Sequence, residues 1–120
     1  MRFILGKAQE ARCRSVIWAG DFNIDWNGSS ADWPEMEVMQ HSGVTDVMQP
    51  KPGGLPLYTE DSEANLLRQA RRHKQVRFDT AFCSPGIECV SARLIWTEPF
   101  QFADGSGLWH PSDHAGIEIR

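Results

Sequence analysis

Three short segments of this 120-residue sequence carry the side chains best suited to chemistry. They are Gly20-Asp21-Phe22-Asn23, Arg77-Phe78-Asp79 and Ser112-Asp113-His114. Each ends or sits on a predicted strand, and polar residues at strand ends are where α/β folds place their sites. Asp21 and Asn23 are two residues apart, so a continuing strand would point both to one side. One offers a carboxylate, the other an amide donor. Asp79 lies on the face opposite Phe78, where a carboxylate can fix a histidine tautomer. Asp113 and His114 add a carboxylate and an imidazole. Together they suit metal-assisted hydrolysis of a phosphodiester. A carboxylate positions the attacking water, Asn and His donate to phosphoryl oxygens as charge builds, and a carboxylate-bound divalent cation steadies the leaving oxygen.

The elements that must position these groups read as a mixed α/β chain. Residues 1–14 show a helical stripe, with Phe3, Ile4, Ala8 and Ala11 on one side. Its apolar run Phe3-Ile4-Leu5 is too short for a signal peptide. Residues 15–19 form an apolar run before Gly20, as in a strand buried on both faces. A helix starts near Asp32, with Pro34 and Glu35 in its first turn and Gly43 as its stop. Residues 44–48 are short and extended; residues 49–56, with three prolines and two glycines, are loop. Leu66, Leu67 and Ala70 suggest one short helix. Residues 75–83 alternate as a strand, and residues 87–96 are expected to return antiparallel to it after the turn Ser84-Pro85-Gly86. A long loop over 98–112 leads to a last strand at 115–119.

Taken in order, GDFN after an apolar strand, RFDTAF on a later strand and SDH followed by AGI resemble the endonuclease/exonuclease/phosphatase superfamily, the deoxyribonuclease I-like phosphodiesterases and phosphatases. The resemblance covers the C-terminal half of that domain. It implies an α/β (α+β) fold: half of a four-layer sandwich, with a mixed, mostly antiparallel sheet and helices on one face. Residue by residue it implies that Asp21 activates water, Asn23 contacts the scissile phosphate, Asp79 orients the histidine, Asp113 lies by the metal, and His114 stabilises the transition state. Thr80 departs from the aromatic usual at that position. Thr59, Asp61 and Asn65 are most similar to the sphingomyelinase-like and general hydrolase branches. The implied cofactor is Mg²⁺ or Mn²⁺, with Asp113 as its ligand here. The family's first-strand Asn and its principal metal-ligand Glu belong to the N-terminal half, so residues 1–120 are expected to be a single partial domain.

Composition bounds the alternatives. Lys and Arg number 12 against 16 Asp and Glu, for a net charge of −4, which argues against wrapping nucleic acid by bulk charge. No apolar run approaches the roughly 18–20 residues of a membrane span. Cys13, Cys83 and Cys89 are odd in number and form no C-x-x-C, which suggests neither a disulfide framework nor a zinc site; all three are expected reduced and partly buried. His110 and His114 are four apart, but Pro111 breaks any helix that would pair them on a metal. The run Arg68, Arg71, Arg72, Lys74, Arg77 reads as a solvated basic face that could also steer a polyanion. Most of the five Trp read as packing; Trp109, just before SDH, is the candidate substrate-side aromatic. The expected partner is a phosphodiester, either nucleic acid or a phospholipid head group. The rival reading is a truncated, non-catalytic domain that self-associates or pairs with a separate N-terminal fragment; a weaker one is a nucleic-acid-binding module built on the basic run.

Overall fold

Strand β5 (Asp79–Cys83) is the one around which the chain organises, because four of its five residues are buried. In the computed structural model, which describes residues 6–8, 10–13, 15–69 and 72–120, β5 lies between β1 (Ile17–Asp21) and β2 (Thr45–Asp46), antiparallel to both. Three two-stranded antiparallel pairs complete the described strands. They are β3 (Glu60–Asp61) with β4 (Gln75–Val76), β6 (Ala92–Ile95) with β9 (Gly116–Ile119), and β7 (Phe100–Gln101) with β8 (Leu108–Trp109). Every pairing among the described residues is antiparallel, with few helical residues beside them.

The core forms on one face of the β1-β5-β2 sheet. Phe82 of β5 meets Trp26 edge-on at 4.8 Å between ring centroids, and both pack with Met36 and Met39. Those methionines sit on the helix Glu35–Gln40, which Pro34 caps. Glu35 and Glu37 favour the positive end of its dipole. Beyond it Gly43 takes a positive φ of 74°, which costs glycine no Cβ clash. Trp18, Phe22, Ile24, Trp33 and Val44 close the cluster from its edges.

Several expectations change. Strand β1 is not buried on both faces: Ile17, Ala19, Gly20 and Asp21 are exposed and only Trp18 is half-buried, because among the described residues the core cluster takes Trp18 and leaves the side chains of the opposite face uncovered. The strand expected over residues 75–83 is broken at Arg77 and Phe78. Asp25 Oδ1 accepts the Arg77 N–H, and Thr59 Oγ1 accepts from Phe78, so side chains replace the ladder there. Residues 87–91 are not strand, and β6 pairs with β9 instead of returning along β5. Gly116 makes that pairing close: a Cβ there would lie 2.8 Å from Ile95 Cγ1 and from the Trp96 ring. The expected loop over 98–112 contains the β7–β8 hairpin. Residues 62–69 form turns, with Ala70 outside the described residues. Of the helix expected over residues 1–14, residues 6–8 and 10 are helical, while 1–5, 9 and 14 lie outside the description. Cys13 is exposed, Cys89 half-buried and Cys83 buried, all three free.

Candidate active site

The ends of β1 and β5 bring the first two segments together. Asp21 and Asp79 are register partners, so their side chains rise from the same face of the sheet as neighbours. Strand β1 stops at Asp21. Asn23 then adopts φ 53°, a left-handed conformation that Asn tolerates better than most residues, and its N–H donates to Asp21 Oδ1 at 2.8 Å. A tight turn, rather than strand alternation, therefore sets the relation between Asp21 and Asn23.

The third segment arrives through Thr59. This residue is fully buried, and its Oγ1 accepts from the backbone N–H of both Phe78 and Asp79 at 3.0 Å, while its carbonyl accepts from Ala115 at 2.7 Å. One residue thus ties the start of β5 to the residue after His114. Ser112 adds two bonds: its Oγ accepts the His114 N–H at 3.1 Å, and its carbonyl accepts from Asn65 Nδ2 at 2.9 Å. His110 is buried and anchors the same turn, with Nδ1 accepting the Leu66 N–H at 3.3 Å.

With the backbone so fixed, His114 Nδ1 lies 2.7 Å from Asp79 Oδ2. An ionised carboxylate only accepts, so Nδ1 carries the hydrogen and Nε2 is left for other work. Nε2 faces Arg68 Nη2 at 3.5 Å and Glu60 Oε2 at 3.8 Å. Arg68 also forms ion pairs, Nη1 with Glu60 Oε1 at 3.1 Å and Nη2 with Asp113 Oδ2 at 2.7 Å. Lys74 Nζ holds the other Glu60 oxygen at 2.8 Å and lies 4.2 Å from the centre of the Phe78 ring.

This corrects the reading of the basic run as a solvated face. Arg77 is buried and donates to Asp46, Thr80 and the Trp26 carbonyl. Arg68 turns into the site and Lys74 pairs with Glu60; Arg72 is exposed, and Arg71 lies outside the described residues. Glu60 is the site residue that sequence reasoning missed. It is 3% exposed at the side chain and sits on a two-residue strand too short to show a period. The one signal was its place between Thr59 and Asp61.

The expected Mg²⁺ or Mn²⁺ does not fit these residues by themselves. Asp113 already has a guanidinium on its Oδ2, and among the described residues no three His, Cys, Asp or Glu side chains gather to hold a metal. Trp109 lies on the β7–β8 hairpin, half exposed, stacked on Phe102 at 6.0 Å between centroids and tilted against Phe100 at 5.7 Å.

The mostly antiparallel sheets with few helices are consistent with an α/β class and match a C-terminal part of one solved fold. No protein-family profile matches the chain, and no curated protein matches it in sequence. Among solved structures it is similar to TDP2 of D. rerio, a member of the endonuclease/exonuclease/phosphatase superfamily crystallised with a single-strand DNA product. The TM-score is 0.64 at 27% sequence identity. The match covers 98% of this chain and 46% of TDP2, so the chain spans about half the length of its structural neighbour. No helix among the described residues is long and apolar enough to cross a membrane.

Proposed function

We propose that this chain carries the Asp-Asn-His part of a phosphodiesterase site that hydrolyses nucleic-acid phosphodiesters. The observation that supports it is the 2.7 Å pair between Asp79 and His114, set beside Asp21 by strand register. In this reading Asp21 accepts a proton from water while the water oxygen bonds to phosphorus. The P–O bond to the leaving group then breaks, and the departing oxygen takes a proton from solvent. Asn23 donates to a phosphoryl oxygen whose charge grows in the transition state, and so does His114 Nε2 when the ring is the imidazolium that the Asp79 carboxylate can stabilise. Asp79 does not touch substrate; it holds the ring so that Nε2 points outward. Dependence on a divalent metal comes only with donors from outside the described residues, such as a separate segment that completes the domain. The DNA product bound by TDP2, and the exposed rings of Phe100, Phe102 and Trp109 so close in sequence to Ser112, favour nucleic acid over a lipid head group.

The test is hydrolysis of a labelled single-stranded oligonucleotide by the purified chain with Mg²⁺, beside His114→Ala, Asp79→Asn and an EDTA control. Turnover lost with His114→Ala supports the reading; turnover untouched by it overturns it. A second reading, a non-catalytic domain that associates through its sheet, is favoured by the exposed Ile17 on edge strand β1. It predicts no turnover and a sedimentation coefficient that rises with concentration.

A further inference from the structure

We propose that Arg68 is a phosphate-binding residue of this site, stationed on Asp113 until a phosphoryl group displaces that carboxylate. The proposal rests on reading the site as one that handles phosphodiesters, and it adds the group that grips the anion. Arg68 is unequally held at its two ends. On one side Nη1 reaches Glu60 Oε1 at 3.1 Å, and Glu60 is buried and has Lys74 on its second oxygen. That contact is enclosed and doubly satisfied. On the other side Nη2 meets Asp113 Oδ2 at 2.7 Å, but the Asp113 side chain is 43% exposed. An ion pair that open to water contributes little, so exchanging it for another anion costs little.

The direction of the guanidinium makes the exchange productive. Nη2 stands 3.5 Å from His114 Nε2, the ring atom that Asp79 leaves free. An oxygen arriving beside both can take a hydrogen bond from the guanidinium and, when the ring is the imidazolium, another from Nε2. A guanidinium holds its nitrogens in one plane, so Nη2 can meet a phosphoryl oxygen while Nη1 stays on Glu60, which the single nitrogen of an ammonium cannot do. Arg68 Nε is buried with no hydrogen-bond partner, so the side chain is not saturated by its resting contacts. Glu60 keeps the guanidinium from following the departing Asp113, because its buried Oε1 stays 3.1 Å from Nη1.

A purely structural Arg68–Asp113 bridge would be weakened by changing either partner. Displacement predicts opposite signs. The measurement is binding of inorganic phosphate and of 5′-thymidine monophosphate by calorimetry in EDTA, with folding checked by circular dichroism. Arg68→Lys should weaken binding at least about tenfold, since one ammonium nitrogen cannot stay on Glu60 and reach the phosphate from a second nitrogen. Asp113→Asn, which removes the competing anion, should tighten it about threefold, the size expected of an exposed pair. Ring nitrogen shifts of His114 should respond to phosphate in the native chain and not in Arg68→Lys. Unchanged or weaker binding in Asp113→Asn overturns the proposal, as does unchanged binding in a folded Arg68→Lys. Should Arg68→Lys fail to fold, the Asp113→Asn arm decides alone. Binding is read without turnover, so the two readings fail separately: hydrolysis unaffected by His114→Ala overturns the proposed activity and leaves Arg68-dependent binding standing.

Discussion

Thr59 and Asp79 are joined by a hydrogen bond that fixes the height of the site: Thr59 Oγ1 accepts the Asp79 N–H at 3.0 Å and shares its lone pairs with the Phe78 N–H. Through its carbonyl the same residue holds Ala115, so the Asp79 carboxylate and the His114 ring are positioned from one buried point. Thr59→Val keeps the shape and deletes the acceptor, which leaves two enclosed N–H groups unpaired at roughly 1–3 kcal/mol each. We expect a loss of about 2–6 kcal/mol by urea unfolding. Thr59→Ser keeps the oxygen and should lose about 1 kcal/mol for the missing methyl. Equal losses in the two variants would show that the hydroxyl is not the link.

Arg77 and Asp46 form a second buried pair, one that stabilises the fold and not the site. Arg77 Nη1 donates to Asp46 Oδ2 at 2.9 Å and to Thr80 Oγ1 at 3.0 Å, Nη2 donates to the Trp26 carbonyl, and Thr80 in turn donates to Asp46. The Thr80 departure from the family's aromatic thus has a physical reason, since an aromatic ring would remove the hydroxyl that completes the pair. Asp46→Ala strands the guanidinium inside the protein and should cost about 3–5 kcal/mol. Arg77→Met with Asp46→Leu removes both charges and should cost less than Asp46→Ala alone. Equilibrium unfolding of the single and double variants checks the order.

The sequence was legible wherever one local rule decided the outcome. The helix at Glu35–Gln40 follows from Pro34, its acidic first turn and the Gly43 stop, and β9 follows from its apolar residues. The three segments could be marked as candidates because short-range composition gives them away. What could not be read was long-range. Residues 87–96 look like the second arm of a hairpin, yet Gly116 lets β9 approach Ile95 and Trp96, and that contact is invisible from either segment alone. Arg68 and Arg77 look like solvent-facing charges until their carboxylate partners, Glu60 and Asp46, are brought in from 8 and 31 positions away. A buried ion pair leaves no periodic trace, because its two halves lie on different elements.

Asn23 separates backbone from side chain by its left-handed φ of 53°. Gly adopts that conformation freely, whereas Ala pays roughly 1–2 kcal/mol for it. Asn23→Gly should therefore unfold near the native midpoint and Asn23→Ala at lower denaturant. Both variants lose the amide proposed to face the phosphate, so both should lose turnover about 10²-fold, the size expected for one transition-state donor. Activity that followed stability, intact in Asn23→Gly and lost in Asn23→Ala, would assign Asn23 to the turn alone.

Arg93 and Glu118 sit opposite each other in the β6–β9 register, and their side chains meet at 2.7 Å. The hydrogen bond from Arg93 is the main reason the Glu118 carboxyl is held below the usual glutamate range; desolvation opposes it and the nearby Arg120 charge assists it. A carboxyl depressed in the folded state binds its proton more readily in the unfolded chain. Its contribution to stability is therefore present above the ordinary glutamate value and lost as pH falls through the depressed one. Arg120 accepts the Val90 N–H at its carbonyl at 2.8 Å, so exchange of that amide reports whether this end of the pair is closed. We expect Val90 protection to fall on acidification through that window in the native chain and to lose this dependence in Glu118→Gln. High salt should flatten the native curve, because the pair faces solvent and is screened. A native curve that matched Glu118→Gln at low salt would place the acid sensitivity of this end of the pair elsewhere.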